Sequence, residues 1–192
     1  VKIEPGQQVG DVSTVNGSVT IGAGARAAEV ETVNGSLKIE DKAVVGSAET
    51  VNGSITVGAE AEVQKGVDAV NGSLTLRQGA KVAGGLENVN GSMLVEGARV
   101  DGGIETVNGD IRLATGSHVT GGIHVEEQAS SWWKGKNFRN PRITIEQGVT
   151  VEGPLHFERA VDLYVAPGVN QPPVAGVQPQ RFTLQQAKGD RG

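Results

Sequence analysis

Apolar and polar residues alternate along most of this chain, and short alternating runs are separated by glycine-containing breaks. In one repeat the apolar pairs are Leu74/Leu76, Ala80/Val82 and Leu86/Val89. The first two pairs have the two-residue period of a strand with one buried face, and the third pair is longer by one residue. The spacing of 3.6 residues that marks an amphipathic helix is absent. The pattern therefore predicts an all-β protein with three short strands in each repeat.

The repeat has a fixed length. The valines of successive Val-Asn-Gly motifs are Val15, Val33, Val51, Val70, Val89 and Val107, which are 18 or 19 residues apart. A period of this size indicates a solenoid, and three strands per repeat predict a three-sided parallel β-helix with coils about 4.8 Å apart. The apolar pairs predict eight to nine coils, and the longer third pair favours right-handed winding. We expect a single β-helix domain over residues 1–165, interrupted by a loop insertion at 126–142, and a Pro-rich tail at 166–192 that covers the last coil.

Each Val-Asn-Gly motif is predicted to form a corner of the helix. The corner residues are Asn16, Gly17, Asn34, Gly35, Asn52, Gly53, Asn71, Gly72, Asn90, Gly91, Asn108 and Gly109. Glycine is expected because a corner favours a positive φ, which a side chain would strain. The asparagines of successive coils are expected to stack as a ladder of hydrogen-bonded amides.

The V-N-G-[SD] motif and the paired aliphatic residues resemble the repeats of exported bacterial β-helix proteins of unknown function, some of them described as adhesin-like. The chain is more distantly similar to the bactofilins, which are polymer-forming cytoskeletal proteins. Resemblance to the exported group implies a periplasmic, cell-surface or secreted location after removal of a signal peptide. The chain begins at Val1 without a methionine, which agrees with that expectation.

Composition narrows the classes of function. The chain has six aromatic residues and no cysteine, so aliphatic residues must fill the core, and disulfides and thiol catalysis are excluded. No apolar run approaches the ~20 residues of a membrane-spanning helix. The net charge is −5, although residues 130–142 carry four cations and no acid, which leaves −9 on the rest by subtraction. This mainly acidic surface argues against a nucleic-acid partner.

One outward position of the third strand carries an acid in five successive repeats. These residues are Glu31, Glu49, Asp68, Glu87 and Glu105. Parallel stacking predicts that they form a column, which either keeps the sheet surface soluble or binds cations or a basic partner. His124 and His156 occupy the next two places in the column. Together with Glu105 they are a candidate site for a surface-bound divalent cation, and no other cofactor is expected.

The insertion holds both tryptophans of the chain among several cations. Its candidate binding residues are Trp132, Trp133, Lys134, Lys136, Phe138, Arg139 and Arg142. Loops on a rigid scaffold often carry binding sites, so a glycan, a component of the cell envelope or a protein is a candidate partner here. The alternative is that the insertion folds back on the rod, with its cations over Glu87 and Glu105.

These patterns favour a non-enzymatic, exported scaffold that binds a partner through the aromatic and basic insertion. The first coil is predicted to expose a strand edge, so a homo-oligomer formed through the N-terminal coil end is a further expectation. Two alternatives stay open. One is a β-helix enzyme that acts on polysaccharides as a lyase or hydrolase, and the other is a filament-forming protein like the bactofilins.

Overall fold

The computed structural model describes residues 1–127, 139–170 and 172–184. These residues form strands, turns and bends, and no helix occurs among them. In chain order the strands are β1 Lys2–Ile3, β2 Val12–Asn16, β3 Val19–Ile21, β4 Arg26–Asn34, β5 Leu37–Ile39, β6 Val44–Asn52, β7 Ile55–Val57, β8 Glu62–Val63, β9 Val67–Asn71, β10 Leu74–Leu76, β11 Lys81–Val82, β12 Leu86–Asn90, β13 Ser92–Glu96, β14 Arg99–Val100, β15 Ile104–Thr106, β16 Asp110–Ala114, β17 His118–Val119, β18 Ile123–Val125, β19 Arg142–Ile145, β20 Thr150–Val151, β21 Leu155–Phe157, β22 Asp162–Val165, β23 Val174–Gly176 and β24 Gln180–Thr183.

The strands stack as a parallel β-helix, which confirms the predicted architecture. The first side is a ten-stranded sheet in the order β1-β3-β5-β7-β10-β13-β16-β19-β22-β24, so the chain makes about nine turns. The second side contains β8, β11, β14, β17 and β20, and the third contains β2, β9, β12, β15, β18, β21 and β23. The long strands β4 and β6 pass around the corner between these two sides and join them into one sheet.

Small and medium aliphatic side chains fill the interior, as the scarcity of aromatic residues requires. The first side contributes two inward residues per strand, such as Leu74 and Leu76, and both are fully buried. The second side contributes smaller ones, such as Ala80 and Val82. Among the described residues, Phe157 is the one aromatic ring in the fully buried set. The narrow triangular interior has room for aliphatic residues of this size in every coil. The parallel register stacks each of them on the equivalent residue of the next coil.

The third side differs from the sequence prediction in one important respect. Its inward positions keep a two-residue period, so Leu86 is buried together with Asn88, whereas Val89 points outward. In the coils before it the second inward residue is Thr32, Thr50 or Ala69. The longer apolar pair that favoured right-handed winding is therefore absent, and the hand of the helix stays a prediction.

From Gly35 onwards, the glycine of each corner is required mainly because neighbouring coils approach closely. A Cβ on Gly53 would lie well under 3.0 Å from the carbonyl oxygen of Gly35, and the same contact recurs up the stack at Gly72 and Gly91. A positive φ occurs at Gly17, Gly72 and Gly91 but not at the other three corner glycines. The expectation of a positive φ at all six corners is therefore wrong, because the tight stacking of the coils excludes a side chain even where φ is ordinary.

The solenoid continues beyond residue 165, the boundary expected from the sequence. Strand β23 pairs with β21, and β24 pairs with β22, both in parallel. Leu163 takes the inward position next to Ile143. Tail residues thus extend both sheets, with Phe182 stacked on Tyr164 at a centroid distance of 4.7 Å.

Candidate functional site

The acidic column forms on the third side in the predicted register. Ser13, Glu31, Glu49, Asp68, Glu87, Glu105, His124 and His156 are aligned through successive pairs of parallel strands. All of these side chains leave the same face, since each stands between two inward residues of its strand. The five acids therefore follow one line along the rod, about 4.8 Å apart.

A second column, made of valine, runs parallel to the acids. Val15, Val33, Val51, Val70 and Val89 are between 38% and 63% exposed, which makes them the main exposed large apolar side chains of the third side. Each lies two residues after the acidic position of its coil, and both residues point outward. Together the two columns border a groove of about 750 Å³ that crosses five coils. We call it the acid–valine groove.

The floor of the groove is made of inward side chains that bind the corner backbone. Thr32 and Thr50 donate hydrogen bonds of 3.1 Å to the carbonyl oxygens of Gly17 and Gly35. Two coils after Thr50, Asn88 donates a hydrogen bond of 2.6 Å to the carbonyl oxygen of Gly72. These bonds hold the third strand against the corner, although in the coil of Ala69 the inward residue makes no such bond and Val70 is exposed all the same.

The amide ladder forms beside the valine column. Each asparagine side chain donates from Nδ2 to Oδ1 of the asparagine one coil earlier, at 3.0 to 3.2 Å, from Asn34 back to Asn16 and up to Asn108. Arg159 completes the series, because its guanidinium donates to Asn108 Oδ1 at 2.7 Å and to the Val107 carbonyl oxygen at 3.1 Å. Arg159 thereby takes the place of the next asparagine, which the insertion displaces.

Asp68 lies in the middle of the acidic column and is half-buried. Burial raises the pKa of this carboxyl to about 6, and the neighbouring carboxylates of Glu87 and Glu49 raise it further in the same direction. Part of the acidic column can therefore take up a proton near neutral pH. A cation placed in the groove would favour the ionised form and reverse the effect.

The histidines form a cluster whose composition differs from the predicted one. The rings of His124 and His156 stack in parallel, with centroids 4.9 Å apart. Glu105 and His156 lie one coil to either side of His124, so they belong to different groups of candidate ligands. One group is His124, His156 and Glu158, and the other is Glu105, His124 and Glu126. Sequence reasoning missed Glu158 and Glu126 because neither lies at the acidic position of the repeat.

The insertion replaces the corner of its coil, between β18 and β19. Trp132, Trp133, Lys134, Lys136 and Phe138 lie outside the described residues, and their binding role stays a prediction. Arg139 donates to an Asp110 carboxylate oxygen at 2.7 Å, and the backbone N–H of Arg142 donates to the other at 2.8 Å. The Arg142 guanidinium lies 5.0 Å from the centre of the Tyr164 ring. These two cations therefore do not lie over Glu87 and Glu105, as a folded-back insertion was expected to place them.

Asp110 explains the one change within the corner motif. In earlier corners a serine hydroxyl accepts the backbone N–H of the equivalent residue in the next coil, as Ser36 does for Ser54. Asp110 accepts from Arg142 in the same way and has a second oxygen for Arg139. The aspartate thus holds the end of the insertion against the first side. The change from Val-Asn-Gly-Ser to Val-Asn-Gly-Asp was the sequence signal for this contact.

Comparison with known proteins gave no match to any family model, curated protein or solved structure. In the part of the chain that the structure describes, there is no helix of the length and hydropathy needed to cross a membrane. Any assignment of function must therefore come from the surface chemistry of the solenoid.

Proposed function

We propose that this protein is a non-enzymatic scaffold that binds an extended polypeptide segment, carrying both cationic and apolar side chains, along the acid–valine groove. The observation that supports this proposal is the pairing of two continuous columns, one anionic and one apolar, on either side of a groove of about 750 Å³. Exposed valines aligned over five coils are unusual on a surface, and contiguous apolar surface of this kind is typical of an interaction site.

The spacing of the groove supports an extended occupant. Five coils cover about 19 Å at the usual interstrand distance, which is the length of about six residues of extended chain. Successive side chains of an extended segment point to opposite sides. A segment that lies along the groove can therefore direct cations to Glu49 and its neighbours, and apolar groups to Val51 and its neighbours.

An exported location and self-association are further parts of this proposal. The resemblance of the corner motifs to those of exported β-helix proteins supports the location. The parallel strands at the ends of the solenoid support association, because strand edges pair readily. The aromatic and basic residues 130–142 remain a second candidate contact surface, for a glycan or for an envelope component.

Fluorescence anisotropy with a designed peptide tests the groove. The probe is a fluorescein-labelled peptide of alternating Lys and Val, about eight residues long, and the comparison peptide replaces each Lys by Glu. We expect the Lys-Val probe to bind and the Glu-Val peptide not to bind. Added salt should weaken binding, because exposed charges are screened within about 10 Å at 0.1 M.

Two groove variants and one outside variant locate the binding site. Glu49→Gln removes one charge from the acidic wall, and Val51→Ser removes one apolar group from the other wall; each should weaken binding several-fold. Glu62→Gln is the control, since Glu62 is an exposed acid on the second side. Equal affinity of the three variants and the unchanged protein would show that the groove is not the site.

One observation favours a polysaccharide-acting enzyme as a second candidate. Asp68, whose pKa is raised to about 6, stands between two carboxylates one coil away on either side. Glycosidases use a pair of carboxyl groups with separated pKa values at about 5 Å or more. However, these acids leave the same face in one line, whereas a glycosidase places them on opposite sides of the scissile bond. Reducing-sugar release from acidic and neutral polysaccharides that is abolished in Asp68→Asn would favour the enzyme over the scaffold.

A further inference from the structure

The cluster at the C-terminal end of the acidic column has the ligand composition of a transition-metal site. His124 is on β18, and His156 is on β21 in the next coil. Glu158 follows His156 by two residues, so both side chains leave the same face of the chain. The ligand atoms of these three residues all lie within 4.8 Å of one another. Two imidazoles and one carboxylate are a set that binds Zn²⁺ and similar late first-row cations.

The contact between His124 and Glu158 already has nearly the required separation. His124 Nε2 and Glu158 Oε1 are 3.1 Å apart. Two ligands of a tetrahedral Zn²⁺ are about 3.4 Å apart, given bond lengths of about 2.1 Å. A cation can therefore replace the shared proton with a small outward movement of either side chain.

Glu158 is held in position by the backbone. Its second oxygen, Oε2, accepts a hydrogen bond of 3.0 Å from the N–H of Glu127. Its first oxygen, Oε1, faces His124, so the carboxylate presents one oxygen to the histidines while the backbone holds the other. A ligand whose other oxygen is fixed in this way loses little freedom on binding.

His156 supplies the third ligand by a rotation of its ring. The ring now stacks on that of His124, with an angle of 7° between the planes. His156 is exposed, so little packing opposes a change of rotamer. Glu126 belongs with His124 and Glu105 to the adjoining group and is available, as is water, for a fourth position.

We propose that His124, His156 and Glu158 bind one divalent transition-metal cation, of which Zn²⁺ is the natural probe. The site joins two neighbouring coils next to Glu127, at the start of the insertion. It is separate from the acid–valine groove, which ends at Glu87 and Val89. The metal would fix the start of the insertion to the solenoid.

Isothermal titration of Zn²⁺ into the full chain, purified without a polyhistidine tag, tests the site. We expect one Zn²⁺ per chain and a higher melting temperature in its presence, because a ligand that binds the folded state stabilises it. His124→Ala, His156→Ala and Glu158→Gln should each weaken binding by about tenfold or more. Co²⁺ should give the visible absorption of a four-coordinate ion in the unchanged protein and lose it in His156→Ala.

His118 provides a matched control. Its Nε2 lies 2.8 Å from Glu152 Oε1, so it forms the same kind of contact across neighbouring coils without a second histidine beside it. His118→Ala should leave Zn²⁺ binding unchanged. The proposal is refuted if His118→Ala weakens binding as much as His124→Ala does. It is also refuted if the unchanged protein binds Zn²⁺ no more tightly than His124→Ala, with folding of each variant verified by circular dichroism.

Discussion

Replacing a corner glycine by alanine tests the packing of the coils most directly. Gly53 and Gly17 occupy the same position of the repeat but have different surroundings. A Cβ on Gly53 would overlap the backbone carbonyl of Gly35, whereas a Cβ on Gly17 would meet no atom within 4 Å. Conversely, Gly17 has a φ of +118° and Gly53 has no positive φ. The pair therefore separates close approach from backbone strain.

The expected costs follow from these surroundings. Gly17→Ala should lower the free energy of unfolding by about 1 to 2 kcal/mol, the cost of a left-handed conformation for an L-residue. Gly53→Ala must push two coils apart, which costs about 1 to 3 kcal/mol for overpacking. It also weakens the hydrogen bonds from Gly35 N to Asn52 O and from Gly53 N to Asn71 O, at about 0.5 to 1.5 kcal/mol each. We expect a total of about 2 to 6 kcal/mol at Gly53.

Urea unfolding monitored by far-ultraviolet circular dichroism measures both variants. The midpoint and the slope should be compared together, because long solenoids can unfold in parts. Gly53→Ala should shift the midpoint at least twice as far as Gly17→Ala. Equal shifts would mean that the corners need glycine only for its backbone conformation, and would refute the packing argument.

Three further outcomes are expected. Asp68→Asn should stabilise the protein by about 1 kcal/mol at pH 7 and by much less at pH 4. The gain is no larger because Asp68 is partly exposed and solvent screens its charge. The reason is that the folded state keeps the Asp68 proton up to about pH 6, whereas the ordinary pKa of an aspartate is 3.8, so stability falls as the pH rises through this window. Thermal unfolding of Asp68→Asn and Glu31→Gln at both pH values measures the difference, and the same gain from both variants at pH 7 would contradict this cause. Arg159→Ala should cost about 1.5 to 3 kcal/mol through its bonds to Asn108 and the neighbouring carbonyl, in chemical denaturation against an exposed control, Arg181→Ala; equal midpoints would contradict a role for Arg159 in the amide ladder. Sedimentation velocity and electron microscopy should show dimers or filaments if the coil ends pair, and a monomer at high concentration would refute pairing.

The repeat alone was enough to predict the class of fold and the acidic column. A period of 18 or 19 residues leaves no room for a helix and return strand, and parallel coils in register align equivalent residues. Glu31 and Glu105 could therefore be placed in one column from their position in the repeat. The amide ladder follows in the same way, because an asparagine stacked on an asparagine offers both a donor and an acceptor.

The direction of the corner valines could not be read from the sequence. After Glu87, either Asn88 or Val89 could have been inward, and hydrophobicity favours Val89. The structure places Asn88 inward because its amide binds the corner carbonyl of Gly72. The valine that follows the inward residue is exposed in each of these coils, so the acid–valine groove is defined only once the inward position of the third strand is known.

Sequence by itself determined which residues of this protein occupy the same position in successive coils, because that depends only on a constant period. Tertiary structure decided everything that depends on distances between residues far apart in the chain. Arg159 reaches Asn108 across 51 positions because the insertion removes the intervening corner. Glu158 joins His124 from the neighbouring coil, and 34 positions separate them because the insertion lies between; Glu158 is outside the repeat position where acids were expected. Such contacts follow from the way the chain closes around each interruption, which a periodic pattern does not encode.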